Sequence, residues 1–386
     1  VWLGSLTEHI GEFMEIAGIL WLVNDLTHSP LWLTIVGSCR FISMIFLPPV
    51  GGVVADRVNR RSLLIVALLG SALLSTCLLV LAVTGVIGLP SLIVISLLGG
   101  AVMSFNHPAR QTIVPNLVDR KHLLNAVSLD TLSVYTSRAI GTPIAGYLMA
   151  MLGVWPVFAL RALGCLLAIS WLLFAHIPPT PATTKQSAPW RNFVEGFRHL
   201  RGDAIVLTLV LLYVIPYLAQ NTYMNFLPVI ARDVVYVGAI GYGYLQGAPG
   251  LGAFIFLVAL GLLVYYKNKF RLLIISGSLM GLGLLGLAAS SSFALSLFLM
   301  VIIGGMQTTF VAVETTLLQG AVKDEIRGRI LSQREVLFGL GPTGSIIFGA
   351  IAQSTGVPFS LGLLAVICLV ASLALISLLP RFRNID

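Results

Sequence analysis

Long apolar stretches dominate this chain, and each ends in a short knot of charge, glycine or proline. A helix needs roughly 20 mostly apolar residues to cross about 30 Å of hydrocarbon. Cutting the chain at its polar knots gives twelve such stretches, at about residues 2–24, 32–55, 62–84, 90–108, 123–151, 155–176, 204–231, 239–265, 272–290, 294–318, 331–354 and 357–380. The expected fold is therefore all-α and integral to a membrane, with twelve spans and mostly very short connections.

One connection is long. Residues 177–203 open with Ile177-Pro178-Pro179-Thr180-Pro181 and then set Arg191, Glu195, Arg198 and Arg201 at amphipathic spacing, which predicts a flexible strap with a surface helix. It divides the chain into two six-span bundles, 1–176 and 204–386. The halves echo one another. Ala109-Arg110-Gln111-Thr112 through Lys121 precedes the fifth span as Leu318-Gln319 through Arg329 precedes the eleventh, and Gly141-Thr142-Pro143 in one half answers Gly341-Pro342-Thr343 in the other. Paired six-span halves imply alternating access around a midplane site.

Composition agrees with the pattern: 57% of residues are hydrophobic and 10% charged, with a mean hydropathy of +0.97, far from the soluble range. Cys39, Cys77, Cys165 and Cys368 stand isolated in apolar stretches and read as packing residues. No cleavable signal segment is visible, although the chain begins at Val1. Charge gives orientation. Nineteen of the 23 Lys and Arg fall in alternate connections or the C-terminal tail, and the opposite loops hold only Arg232, so both termini are expected to be cytoplasmic. The basic excess is thereby explained by topology, and a nucleic-acid partner is not expected. With no H-E-x-x-H, G-x-S-x-G, phosphate-binding Gly-Lys loop or Cys–His nucleophile, neither an enzyme nor a cofactor or metal site is expected.

The run Gly51-Gly52-Val53-Val54-Ala55-Asp56-Arg57-Val58-Asn59-Arg60-Arg61 joins spans two and three. It resembles the signature loop of the major facilitator superfamily, G-x-x-x-D-R-x-x-R-R, with Asn59 where that family usually has Gly. Leu26-Thr27-His28-Ser29-Pro30, Pro108-Ala109-Arg110-Gln111, Leu124-Asn125-Ala126, Arg138-x-x-Gly141 and Arg327-Gly328-Arg329 look like the branch holding enterobactin-type siderophore exporters, macrolide efflux pumps and related bacterial multidrug exporters. Two departures stand out: Thr142 precedes Pro143 where Pro usually follows the glycine directly, and Tyr265-Tyr266-Lys267-Asn268-Lys269 lacks an acidic partner.

The resemblance implies a bacterial cytoplasmic-membrane carrier that exports an amphipathic, drug-like or siderophore-like compound by proton antiport as a monomer among lipids. Its alternative is the transport of lysophospholipid or another lipid. It also implies that Asp56 meets the start of span eleven, near Leu331 to Arg334. The chemistry is sound, because unpaired N–H groups and the positive dipole end at a helix N-terminus favour an anion. Gly52 permits close helix approach, and Arg57, Arg60 and Arg61 can pair with Asp119 or Glu335 on the cytoplasmic side. These residues form an expected conformational latch; the plainer reading is that the arginines only keep the loop inside.

Charges inside spans are costly and usually face a cavity or a partner. Glu8, Glu12 and Glu15 share one face of the first span and repel one another if all are ionised, which makes them candidates for proton binding. Glu12 stands where an acid is common in the resembling branch. His9 flanks this stripe. Arg40, Arg138 and Arg161 are possible counter-charges, with Glu15 and Arg40 at similar depth; Asp130 and Arg138, eight apart on one helix, cannot pair directly. The expected proton-coupling set is Glu8, Glu12, Glu15, Arg40, Asp130 and Arg138. The second half carries almost no charge at depth beyond Glu314 and Glu335, and offers Tyr217, Gln220, Asn221, Tyr223 and Asn225 in span seven, Gln246 in span eight and Gln307 in span ten as substrate-binding groups. The alternative for these side chains is packing between helices.

Overall fold

In the computed structural model the described residues are 2–46, 59–113, 123–174, 204–262, 268–322, 330 and 340–375. They form twelve α-helices, one short π-helix and no strand: α1 Trp2–Thr27, α2 Pro30–Phe46, α3 Arg60–Thr84, α4 Leu89–Ile113, α5 Leu123–Leu152, α6 Trp155–Phe174, α7 Ala204–Val229, which runs on into the π-helical Ile230–Val234, α8 Gly238–Leu262, α9 Lys269–Ala289, α10 Phe293–Ala321, α11 Leu340–Thr355 and α12 Val357–Ala374. Each lies within one of the twelve apolar stretches or overruns it slightly. The largest overrun is α4, which continues past Pro108 to Ile113; membrane helices tolerate proline where neighbours re-satisfy the freed backbone groups. Eight of the helices are long and apolar enough to cross a membrane on length and composition. Among the others, α1 carries the three glutamates, and α2 and α11 have described parts of 17 and 16 residues.

Their outer faces are those of a protein dissolved in lipid. On α3, Leu64, Leu68 and Ala72 turn inward at helical spacing, whereas Val66, Leu69, Leu73 and Val80 stay exposed. An apolar outward stripe of this length is stable only where the solvent is itself apolar.

Two compact units make up the chain. The first comprises Val1–His28, Cys39–Lys185 and Tyr236–Gly247; the second comprises Ser29–Ser38, Gln186–Val235 and Ala248–Asp386. In the first, α1 packs on α5 and α6, and α3 on α4 and α6, with Leu68, Ala168 and Leu172 in one core cluster. The beginning of α8 belongs to this unit as well. Its contact with α5 is backbone to backbone, since a Cβ on Gly243 would stand 2.5 Å from the Thr142 carbonyl oxygen and 2.9 Å from the Gly146 Cα. Thr142 Oγ1 donates to the Gly243 carbonyl at 3.1 Å. In the second unit α9 packs on α10 and α12, and α7 on α11, around Leu209, Leu273, Phe310 and Leu317. The beginning of α2 joins this unit through hydroxyls: Ser38 Oγ donates to the Pro342 carbonyl at 2.6 Å, and Ser29 Oγ to Gln353 Oε1 at 2.6 Å.

The turns repeat between the halves. His28 and Tyr236 are the two non-glycine residues with positive φ among the described residues, at 47° and 56°, and each follows the first helix of its half. Gly153 and Gly356, at 86° and 90°, each close the fifth helix of their half, a conformation that costs glycine no Cβ clash.

At the start of α3, Asn59 Oδ1 accepts from the Arg61 backbone N–H at 3.0 Å and caps the helix. Arg61 Nη2 donates to the Leu173 carbonyl in the last turn of α6 at 2.8 Å, where a cation also meets the negative dipole end. This contact ties two helices of the first unit together. Arg61→Ala is expected to lower the thermal midpoint by about 1–2 °C, since an exposed charged cap contributes at most about 1 kcal/mol. A thermal melt in detergent checks this; an unchanged midpoint would mean that the contact contributes nothing to stability.

Candidate functional site

The three glutamates of α1 project into a buried cluster of charge in the first unit. Glu8 and Glu12 are buried, at 5% and 8% exposure. Arg40, from the middle of α2, meets Glu12 with Nη2 to Oε1 at 2.6 Å, and its Nη1 lies 3.8 Å from Glu15 Oε1. Its Nε donates to Met103 Sδ on α4 at 2.9 Å. The depth match between Glu15 and Arg40 is thus real, but the shorter contact goes to Glu12, one turn away. Gly100 lets α2 and α4 come this close, because any Cβ there would run into the Arg40 backbone carbonyl.

Arg161 completes the cluster from α6. It is 2% exposed, its Nη1 donates to the Glu8 backbone carbonyl at 2.6 Å, and its Nε stands 4.0 Å from Glu15 Oε2. Ser75 on α3 donates its hydroxyl to Glu15 Oε2, and Asn106 Nδ2 on α4 donates to Glu8 Oε1 at 3.0 Å. Three carboxylates on one helical stripe coexist here because donors from α2, α3, α4 and α6 share them. The cluster borders a cavity of about 280 Å³, whose lining includes Glu8, His9, Glu12, Asn106, Asp130 and Arg161. Ser133 Oγ lies 3.5 Å from His9 Nδ1.

Arg138 comes from α5. Its guanidinium carbon lies 5.6 Å above the Phe13 ring, and its Nε donates to the Gln246 backbone carbonyl at 3.3 Å. Within the first unit it therefore links α5 to the beginning of α8.

Of the amides and tyrosines assigned to substrate, Gln246 belongs to the first unit and the rest to the second. There Gln307 Nε2 donates to Gln220 Oε1 at 2.8 Å and to the Pro216 carbonyl at 3.2 Å, and its Oε1 accepts from the Tyr223 hydroxyl at 3.3 Å. Tyr223 is fully buried, and this network ties α7 to α10. Asn221 Nδ2 turns back to the Tyr217 carbonyl at 2.9 Å, and the Tyr217 ring packs 4.5 Å from that of Tyr213. Asn225 is 5% exposed, with its Nδ2 unmatched by a hydrogen bond.

The latch residues Gly52, Asp56, Arg57, Asp119 and Glu335 lie outside the described residues, as does the side chain of Arg60. Ser75, Asn106 and Met103 were missed from sequence. A serine or asparagine inside an apolar run is a faint signal, and it gains meaning only once its helix is known to face α1.

The family described as transmembrane secretion effector, within the major facilitator grouping, matches residues 1–386. The staphyloferrin A transporter of Staphylococcus aureus (strain NCTC 8325 / PS 47) is 25% identical over 93% of this chain and 91% of its own length. The enterobactin exporter EntS of Shigella boydii serotype 18 (strain CDC 3083-94 / BS512) is 28% identical over 80% of this chain and 73% of its own. In fold, the crystal structure of the nucleoside transporter NupG superposes with a TM-score of 0.78 at 15% identity, covering 97% of both chains.

Proposed function

For this chain, which belongs to the transmembrane secretion effector family and is a multi-pass major facilitator transporter rather than an enzyme, we propose proton-coupled export of an amphipathic, siderophore-like or drug-like compound. The observation that carries the reading is the buried contact of Arg40 with Glu12, 2.6 Å long and beside a cavity. Charges held at membrane depth and bordering a cavity are the usual means by which a carrier binds and releases protons. The siderophore transporters among the relatives support the substrate class.

On this reading the six-span halves 1–176 and 204–386, joined by 177–203, alternate access in the bacterial cytoplasmic membrane with both termini inside. The carrier works as a monomer. Glu8, Glu12, Glu15, Arg40, Asp130 and Arg138 couple the proton. Tyr217, Gln220, Asn221, Tyr223, Asn225, Gln246 and Gln307 contribute to substrate binding, and aromatic and amide groups suit an adaptable apolar pocket with few orienting polar contacts. The loop from Gly52 to Arg61 biases the conformational equilibrium without touching substrate. Asp56→Asn is accordingly expected to slow transport about tenfold while leaving substrate affinity intact, a change of about 1.4 kcal/mol in the barrier. Equilibrium binding measured beside initial rates separates the two, and an equal loss of affinity would argue against a remote gate.

Reconstitution in liposomes with an internal pH dye tests the whole reading. The panel is a carboxylate siderophore, a catecholate siderophore, a macrolide and a lysophospholipid. One of the first three is expected to move protons against its own flux. Movement of the lysophospholipid alone, without a pH change, would replace the proposal with lipid transport.

A further inference from the structure

We propose that Arg40 is an exchangeable counter-ion: a proton binding Glu12 displaces its guanidinium, which then completes its contact with Glu15. This rests on the proton-coupling reading of the same site and adds the step that turns protonation into movement.

The geometry is that of a fork resting on two tines. Arg40 Nε is held by a thioether, a weak acceptor, at 2.9 Å from Met103 Sδ. Nη2 makes a full charge-assisted hydrogen bond to Glu12 at 2.6 Å, while Nη1 sits 3.8 Å from Glu15, inside ion-pair range but beyond a hydrogen bond. The two carboxylates differ in their place relative to the cavity. Glu12 borders the cavity, as do Glu8, His9, Asp130, Tyr135 and Arg161, whereas Glu15 is absent from its lining. Glu15 also has the Ser75 hydroxyl donor and the nearby Arg161 Nε. A proton entering from the cavity therefore reaches Glu12, while Glu15 stands behind it beside the Ser75 hydroxyl and Arg161.

In the exchange an O–H bond forms on Glu12, the Arg40 N–H···O bond to Glu12 breaks, and one to Glu15 forms. The site gains one positive charge and loses it again when the proton leaves. Glu12 and Glu15 are three residues apart, about 4.5 Å along the α1 axis. The handover consequently pulls the middle of α2 along α1, giving the two protonation states different preferred positions of one helix against another. The charged and titratable groups around Glu12 are Glu8, His9 and Glu15 on its own helix, Arg40 from α2, Asp130, Tyr135 and, over the neighbouring Phe13 ring, Arg138 from α5, and Arg161 and Cys165 from α6; α3 and α4 bring the neutral Ser71, Ser75, Met103 and Asn106.

The test follows the carboxyl C=O stretch by infrared difference spectroscopy on purified protein in lipid nanodiscs, titrated between about pH 5 and 9, so that no substrate is needed. The band that Glu12→Gln removes reports Glu12. Glu15→Gln is expected to require about tenfold more protons to half-develop this band, because Arg40 loses its second acceptor. Arg40→Gln is expected to shift it about as far in the opposite direction. The double variant decides: if Glu15 acts through Arg40, the Glu15→Gln shift vanishes in the Arg40→Gln background, as a coupled pair requires. Persistence of the full shift there would mean that Glu15 acts by direct repulsion, and would overturn the counter-ion exchange while leaving proton coupling standing. Absence of any Glu12 band in the unmodified protein overturns both. Arg40→Lys keeps the charge and is expected to restore part of the shift, which guards against loss of folding in Arg40→Gln.

Discussion

Glu12→Gln is expected to abolish proton-driven accumulation while leaving substrate exchange across the membrane within about twofold of normal, a change of only a few tenths of a kcal/mol in the exchange barrier. Glutamine keeps the size and most of the hydrogen-bonding capacity of a protonated glutamate but cannot bind or release the proton. The site is thus fixed in its protonated form. Arg40 then keeps Glu15 as an acceptor, 3.8 Å away before any adjustment, so the cluster retains a partner for its buried cation and avoids the several kcal/mol that an orphaned charge costs. Inverted vesicles under an imposed pH gradient measure accumulation, and counterflow without a gradient measures exchange. Normal accumulation by the variant would remove Glu12 from the coupling machinery, whereas loss of both activities would show that its charge is needed for structure or binding.

Gly243→Leu is expected to reduce transport at least about tenfold. The beginning of α8 lies directly on α5, and a Cβ at Gly243 would already stand 2.5 Å from the Thr142 carbonyl oxygen and 2.9 Å from the Gly146 Cα. Both obstacles are backbone or close to it and cannot rotate aside, unlike the end of a flexible side chain. Overpacking costs about 1–3 kcal/mol even where side chains yield, and every 1.4 kcal/mol shifts an equilibrium about tenfold. A transporter that must close this seam in one of its end states would rarely reach that state. Tyr244→Leu, on the neighbouring half-exposed position, serves as the control and is expected to keep its rate. An unchanged rate for Gly243→Leu would mean that α5 and α8 stand apart throughout turnover.

The fold was legible because lipid imposes a length requirement that few other environments do: about 20 apolar residues between polar knots. The register of the first half was legible too, since Glu8, Glu12 and Glu15 share a stripe whatever the packing around α1. What escaped was the identity of the donors. Arg40 could be matched to Glu15 by depth alone, but the choice between Glu12 and Glu15 depends on where α4 places Met103 and on the close approach at Gly100. Arg161 was visible as a charge, yet one of its bonds goes to the Glu8 backbone carbonyl, an acceptor that every residue offers and no pattern marks. Gln246 was grouped with the other amides by residue type, whereas its backbone carbonyl serves Arg138 in the first unit. The latch from Gly52 to Arg57 rests on its motif, since it falls outside the described residues.

The membership of the two compact units bears on how the protein can be taken apart. Residues Tyr236–Gly247 belong with the first unit and Ser29–Ser38 with the second, so each borrows one helix segment from across the 177–203 connection. A cut in that connection would therefore not release two self-sufficient pieces. The first piece would lack the chain that covers Thr142 and Gly146, and the second would lack the serines that bond Pro342 and Gln353. Reassembly from separately made fragments would depend on returning those segments, which makes each fragment in effect the other's folding partner.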